Sequence, residues 1–204
     1  MSSIKEFDTE KRIFEAAQLV FLQKGLVNTT MQDIASKAGI SRTSLHYYFR
    51  NKDTLFESIL SMAMDNMMPK INQTISKDIP LVEKIIEFAY NYLDLLHDND
   101  QLPGFMASEI RRNPDKVIGF ILKNSTTINF DIIEKQMEEE VKAGKVRPFN
   151  LSQLVVTVAG LCIFPFICKP VLENVLESDG SNFDSFIIER RTVIAEIITN
   201  WLYL

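Results

Sequence analysis

Residues 28–56 read Asn28-Thr29-Thr30-Met31-Gln32-Asp33-Ile34-Ala35-Ser36-Lys37-Ala38-Gly39-Ile40-Ser41-Arg42-Thr43-Ser44-Leu45-His46-Tyr47-Tyr48-Phe49-Arg50-Asn51-Lys52-Asp53-Thr54-Leu55-Phe56. Thr30 with Asp33 three residues on has the spacing of a capping box, with Asp in place of the usual Glu. From Met31 to Lys37 there is room for two helical turns before Gly39, a natural terminator. Ser41 offers a second N-cap at once, and Arg42 to Phe49 follows as another short helix. Short helix, turn holding a Gly, short helix is the order of a helix-turn-helix. Ile34, Ala35, Ala38, Ile40, Leu45 and Phe49 supply the small core that such a unit needs.

Upstream, Ile13, Ala16, Ala17, Val20 and Phe21 form a helical stripe, which predicts a first helix over 9–24, capped by Thr9 and closed by Gly25. Downstream, Asn51, Lys52 and Asp53 open a fourth helix with Leu55, Phe56, Ile59 and Leu60 on its apolar face. The pattern stays helical to the end. Segments 62–79, 81–96, 102–113, 116–142, 151–176 (interrupted by Pro165 and Pro170) and 183–204 are predicted in turn. No period-two run bounded by turns stands out, so the expected fold class is all-α: an N-terminal three-helix unit holding the helix-turn-helix over 1–55 and a six-helix body over 56–204.

Composition agrees with a folded chain of one domain or two small ones. It has 204 residues, 46% hydrophobic and 24% charged, with seven Gly and seven Pro. Two cysteines, Cys162 and Cys168, make no disulfide framework and have no companions for a zinc site. The start is polar rather than a signal peptide, and the longest apolar stretch, 151–167, falls short of a membrane span; the expected location is the cytoplasm. Net charge is −5, but residues 1–55 carry eight Lys/Arg against six Asp/Glu, so a mildly basic head sits on an acidic body. That asymmetry suits an anionic partner for the head.

A recognition helix lies in the major groove with its N-terminal residues at the base edges. Here that end presents Ser41, Arg42, Thr43 and Ser44. Arg can donate two hydrogen bonds to guanine, and Thr can meet a base or a thymine methyl. His46 and Tyr47 stand where they can donate to phosphate, as does Lys52 at the next helix start. Thr30 sits at a helix N-terminus, whose free N–H groups and dipole favour phosphate. The remaining polar clusters carry less. His97 among Asp94, Asp98 and Asp100 reads as a solvated helix end, and Glu138 pairs with Lys142 on an exposed face. Neither His has a partner in a catalytic motif, so no catalytic residue, metal or cofactor is expected, and an enzyme ranks last among the readings.

From Thr30 to Phe56 the chain resembles the DNA-binding signature of the TetR family of bacterial transcriptional regulators. That pattern runs Thr, Asp-Ile-Ala, Ala-Gly-Val/Ile-Ser, Leu-Tyr-Tyr-His/Tyr-Phe and Lys-Glu/Asp-x-Leu; the match covers roughly residues 8–57 without a gap. Thr43 departs from the frequent Gly and His46 from the frequent Tyr. The resemblance implies an all-helical homodimer on a pseudo-palindromic operator, with the last two long helices building an intersubunit bundle. Val155, Val158, Ala159 and Cys162 give one stripe for that interface; Phe186, Ile187, Ile194, Ile197, Ile198 and Trp201 give the other. It also implies a repressor released from DNA by a small apolar or amphipathic ligand. Met64, Met67, Phe88, Tyr92, Phe105, Met106, Phe120 and Phe164 are the expected pocket walls. The alternative is a DNA-binding dimer without such an effector, controlled by a protein partner or acting constitutively.

Overall fold

Nothing between Ser2 and Thr9 breaks a helix, and α1 (Ser2–Asn28) accordingly begins upstream of the expected Thr9 cap. Its regular part ends at Gly25, where φ 76 and ψ 158 lie in a region open to glycine alone. The computed structural model describes residues 2–125, 130–178 and 180–203, and the side chains of 8–119, 131–178 and 180–203. Ten helices follow α1 among the described residues: α2 (Met31–Ala38), α3 (Arg42–Tyr48), α4 (Lys52–Ile75), α5 (Leu81–Asp98), α6 (Leu102–Arg112), α7 (Pro114–Ser125), α8 (Phe130–Lys142), α9 (Leu151–Ile167), α10 (Lys169–Ser178) and α11 (Phe183–Leu202). They hold no strand beyond one isolated antiparallel bridge between Val146 and Tyr203, so the fold is all-α.

Several helices differ from the sequence reading: α4 runs on from the helix opened at 51–53 through most of the separately expected 62–79, the expected 116–142 is described as α7 and α8 with 126–129 outside the described residues, and two further differences have local reasons. Pro114 stands at the first position of α7, where a missing N–H costs nothing, so that helix starts two residues early. The stretch 151–176 is two helices bent by 70°. Cys168 is the C-cap of α9, and α10 starts at Lys169 with Pro170 in its first turn, where a missing N–H costs nothing. No single helix among the described residues is long and apolar enough to cross a membrane.

The chain packs into two units. The first comprises residues 1–65 with 99–124. Its core joins Ile13, Ala17 and Phe21 of α1, Ile34 and Ala35 of α2, Leu45 of α3, and Leu55, Phe56 and Ile59 of α4 to Leu102 and Phe105 of α6 and Val117 of α7. Phe21, Phe56 and Phe105 form an aromatic triangle with centroids 5.3–6.4 Å apart. Glu109 of α6, wholly buried, holds the corner at the end of α1: the Leu26 N–H donates to its Oε1 at 3.0 Å and Asn113 Nδ2 to its Oε2 at 2.7 Å. Lys116 of α7 pairs with Asp53 of α4 and lies 5.0 Å above the Phe56 ring.

The second unit comprises residues 66–98 with 125–204. In it α5 packs against α8, α9 and α11. Leu81, Ala89 and Leu93 of α5 meet Leu154, Val158 and Cys162 of α9 and Ile187, Ile194 and Ile198 of α11 in a continuous core. Polar ties are few and placed at helix ends or edges. Glu140 Oε1 accepts the Leu81 N–H at the start of α5, Arg191 pairs with Asp94, and Arg190 donates to the Leu161 carbonyl.

Candidate nucleic-acid interface and effector cavity

The helix-turn-helix is built from local interactions of the kind its spacing demands. Thr30 Oγ1 accepts the Asp33 N–H at 3.2 Å, and Asp33 Oδ2 accepts the Thr30 N–H at 2.9 Å and its hydroxyl at 2.7 Å. Lys24 Nζ reaches Asp33 Oδ1 at 2.6 Å. Lys24 first, then the Thr30 hydroxyl and N–H, hold the Asp33 carboxyl down at about 2. Gly39 takes the left-handed conformation (φ 67, ψ 35), which lets the Ile40 N–H close on the Ala35 carbonyl at 3.0 Å. Arg12 Nη2 donates to the Ala38 carbonyl at 2.6 Å, tying the same helix end to α1. Ser41 Oγ accepts the Ser44 N–H at 3.0 Å and starts α3.

Leu45 of α3 and Phe49 just after it point into the core, Tyr48 is half-buried against that core, and the other side chains of α3 are left for solvent. Ser41, Arg42, Thr43, Ser44, His46 and Tyr47 are all exposed, Tyr47 by 81%. Arg42 with His46, and Thr43 with Tyr47, follow one another at four-residue spacing on α3, so one face carries a cation, an imidazole, a hydroxyl and a phenol. Arg42 Nε donates to His46 Nε2 at 3.4 Å, and His46 Nδ1 lies 3.2 Å from the Arg50 carbonyl. Such a face can meet base edges and phosphates together.

Two of the expected DNA contacts have their polar ends committed within the protein. Thr30 spends its hydroxyl and N–H on Asp33, whose carboxylate already occupies the electropositive start of α2. Lys52 Nζ donates to the Val27 and Thr29 carbonyls at 2.6 and 3.0 Å, where it closes the end of α1.

The second unit holds an apolar cavity of ≈ 230 Å³. Met67, Ile71, Thr74 and Ile75 of α4, Lys84, Ile85 and Phe88 of α5, Ile133 of α8, and Leu151, Leu154, Val155 and Val158 of α9 line it. Of the pocket residues expected from sequence, the structure brings Met67 and Phe88 to this wall. Tyr92 stacks on Phe88 with centroids 6.0 Å apart, and burial pushes its hydroxyl far above the usual phenol range. Phe105 and Met106 belong to the first unit's core, Met64 is half-buried outside the cavity lining, and Phe164 is 63% exposed. Phe120 lies outside the described side chains. Phe164 faces out because the neighbouring Phe166, two residues on, takes the core position against Phe183.

The interface stripes divide in the same way. Val158, Cys162, Ile187, Ile194 and Ile198 are buried in their own chain's core. Cys162 Sγ donates to the Ala89 carbonyl at 3.7 Å, and burial pushes that thiol up to about 12. Ala159, Phe186 and Trp201 are half-buried, while Val155 and Ile197 are exposed. Val156, Phe164 and Ile188 add to the exposed apolar surface of α9 and α11. The sequence reading missed Lys84, although its position inside the stripe Leu81, Val82, Ile85, Phe88, Ala89 was the available signal: a charge on an apolar helix face.

Comparison with known proteins follows the same division of the chain. A family model described as bacterial regulatory proteins, tetR family, matches residues 13–59. The uncharacterized HTH-type transcriptional regulator YhgD of Bacillus subtilis (strain 168) is 23% identical over 151 residues, covering 69% of this chain and 73% of that protein. Among solved structures, an HlyIIR mutant whose residues 169–186 are replaced by a linker superposes with TM-score 0.65 at 18% identity, covering 97% of both chains. The transcriptional regulator FadR from Bacillus subtilis, in complex with stearoyl-CoA, superposes with TM-score 0.59 at 16% identity, covering 91% of this chain and 97% of that one. The capped helix-turn-helix thus lies in the stretch that matches the tetR family of bacterial regulatory proteins, and the all-helical fold is shared with the solved structures.

Proposed function

We propose that this protein is a repressor: residues 1–55 read a specific DNA sequence, and residues 56–204 dimerise and take a small apolar or amphipathic ligand that releases the operator. The observation that carries the reading is the exposed face of α3, where Arg42, Thr43, Ser44, His46 and Tyr47 stand free of the core on a helix fixed by Ser41 and Gly39. The apolar cavity supports a ligand with a substantial apolar part, and the stearoyl chain of the stearoyl-CoA bound to FadR is such a part in a protein of similar fold. The exposed Val155, Val156, Phe164, Ile188 and Ile197 on α9 and α11 support a second copy as partner, because aliphatic and aromatic side chains grouped on two helices gain by burial. A two-fold dimer then predicts half-sites about one turn apart.

The test is fluorescence anisotropy with labelled DNA from upstream of the protein's own gene, against scrambled DNA, at two salt concentrations. Binding that weakens with salt, prefers the upstream DNA, and loses that preference in Arg42→Ala supports the reading. Sedimentation as a monomer at micromolar concentration, or an operator selected from random DNA that lacks two-fold symmetry, refutes the dimeric part.

A further inference from the structure

Two polar side chains stand in the wall of the second unit's cavity, and neither shows it a polar atom. Thr74 is buried, and its hydroxyl donates to Glu87 Oε1 at 2.9 Å. Lys77 donates to the same oxygen and holds Glu87 in place. Lys84 is also buried, and its ammonium donates to the Ile75 carbonyl at 2.7 Å, so its methylene stem is what remains for the wall. The other lining side chains are aliphatic, aromatic or, at Met67, a thioether. Among the described residues no nitrogen or oxygen atom is exposed in the cavity. The wall has no polar anchor at its solvent side either. There the exposed lining residue is Val155, next to exposed Val156.

A hydroxyl, amine or carboxylate brought into such a space loses its water and finds no partner, which is costly. A hydrocarbon pays no such penalty and gains by burial. An apolar protein cavity of about 150 Å³ takes benzene, and this one has ≈ 230 Å³, room for a ring with small substituents. Met67 can adapt its flexible side chain to the outline of such a ligand. We propose that the ligand of this cavity is an uncharged hydrocarbon, held by burial and dispersion alone, and that the cavity rejects ligands that must bury a hydroxyl or a charge. The proposal rests on the reading of this cavity as the site of the small ligand, and it chooses the apolar over the amphipathic class.

The experiment is titration calorimetry of the full chain with p-xylene, p-cresol, hydroquinone and p-toluate. These share one ring and carry, in turn, no polar group, one hydroxyl, a hydroxyl at each end, and a carboxylate. p-Xylene should bind roughly tenfold or more tightly than p-cresol. Hydroquinone, which cannot keep both hydroxyls in solvent, and p-toluate should show no binding. Methyl NMR on isotope-labelled methionines locates the site: p-xylene should shift the Met67 resonance, identified by its loss in Met67→Leu. Val158→Phe, which fills the cavity, should abolish both the heat and the shift. If Val158→Phe does not fold, the Met67 shift decides the location alone. p-Cresol or hydroquinone binding at Met67 as tightly as p-xylene, or p-toluate binding there at all, overturns the proposal and leaves the cavity as a ligand site of another class. A site that hydrogen-bonds a ligand's polar group strongly disfavours the analogue lacking it, so the order of affinities separates the two cases. A Met67 resonance that none of the four shifts overturns the reading of the cavity as a ligand site, and the proposal with it.

Discussion

Replacing Gly25 by Ala tests whether the corner between α1 and the helix-turn-helix is as fixed as its contacts require. At φ 76 and ψ 158 the backbone occupies a region that side-chain-bearing residues essentially never adopt. Strain of this kind costs about 1–3 kcal/mol, and this region lies at the upper end. A Cβ there would also meet Arg112 Nη1 at 2.3 Å, which the flexible guanidinium can relieve by moving. Against this, Ala restricts the unfolded chain and returns about 0.4–1 kcal/mol. The corner has little freedom to relax, because the Gly25 carbonyl accepts the Thr29 N–H and hydroxyl and the next N–H is held by buried Glu109. The net expectation is a loss of about 2 kcal/mol, or about 4–8 °C in Tm for a chain of this size. Gly119→Ala is the control: its Cβ meets nothing within 4 Å on α7, so it should gain about 0.5–1 kcal/mol from helix propensity. Thermal unfolding followed by circular dichroism reads both. A Gly25→Ala protein that melts at or above the wild type, in step with Gly119→Ala, refutes the claim that this corner stores its conformation in glycine.

Other expectations are as direct. Glu109→Ala strands the buried Leu26 N–H and should cost about 1–3 kcal/mol, with Glu109→Gln milder; urea titration separates them. Asp33, held at about 2 against an ordinary 3.8, contributes stability that is complete above about pH 4 and is lost as pH falls towards 2. Asp33→Asn should therefore flatten the acid limb of the stability curve in that window, and an unchanged limb contradicts the assignment. Cys162, with its thiol pushed up to about 12 and its sulfur wholly buried, should resist a thiol-labelling reagent at pH 8 in the native protein, whereas half-buried Cys168 reacts first. Mass spectrometry of the labelled peptides distinguishes them. In DNA binding, Arg42→Ala should lose about 1–3 kcal/mol with relaxed specificity, whereas Lys52→Met should act chiefly on stability, because its ammonium is bonded to two carbonyls of its own chain.

The helix-turn-helix was legible because it is made of short-range interactions. A capping box spans three residues, and a left-handed glycine with its closing hydrogen bond spans five, so Thr30, Asp33, Gly39 and Ser41 declare the turn without reference to the rest of the molecule. The exposed side of α3 followed from the same register, since Leu45 and Phe49 must face inward together. The all-helical class was legible for a related reason: a stripe at helical spacing shows that a face is buried. It does not show against what. Phe105 stacking on Phe21, and Leu102 and Val117 joining the first core, depend on packing between segments some eighty residues apart.

The same limit governs the second unit. Cys162, Ile194 and Ile198 look equally fit for an interface or a core, and only the path of α5 between α9 and α11 sends them inward while Val155 and Ile197 stay out. Phe164 and Phe166 are chemically identical, and the packing of α9 against Phe183 at its bent end chooses between them. By itself the sequence determined the all-helical class, the capped turn between α2 and α3 and the reading face of α3, because caps, turns and helical periodicity act within a few residues. Only the tertiary structure decided which faces meet, where a cavity is left between them, and that Lys52 is spent on the end of α1 while Lys84 is brought to the cavity wall, because those outcomes depend on partners that the chain supplies from farther away.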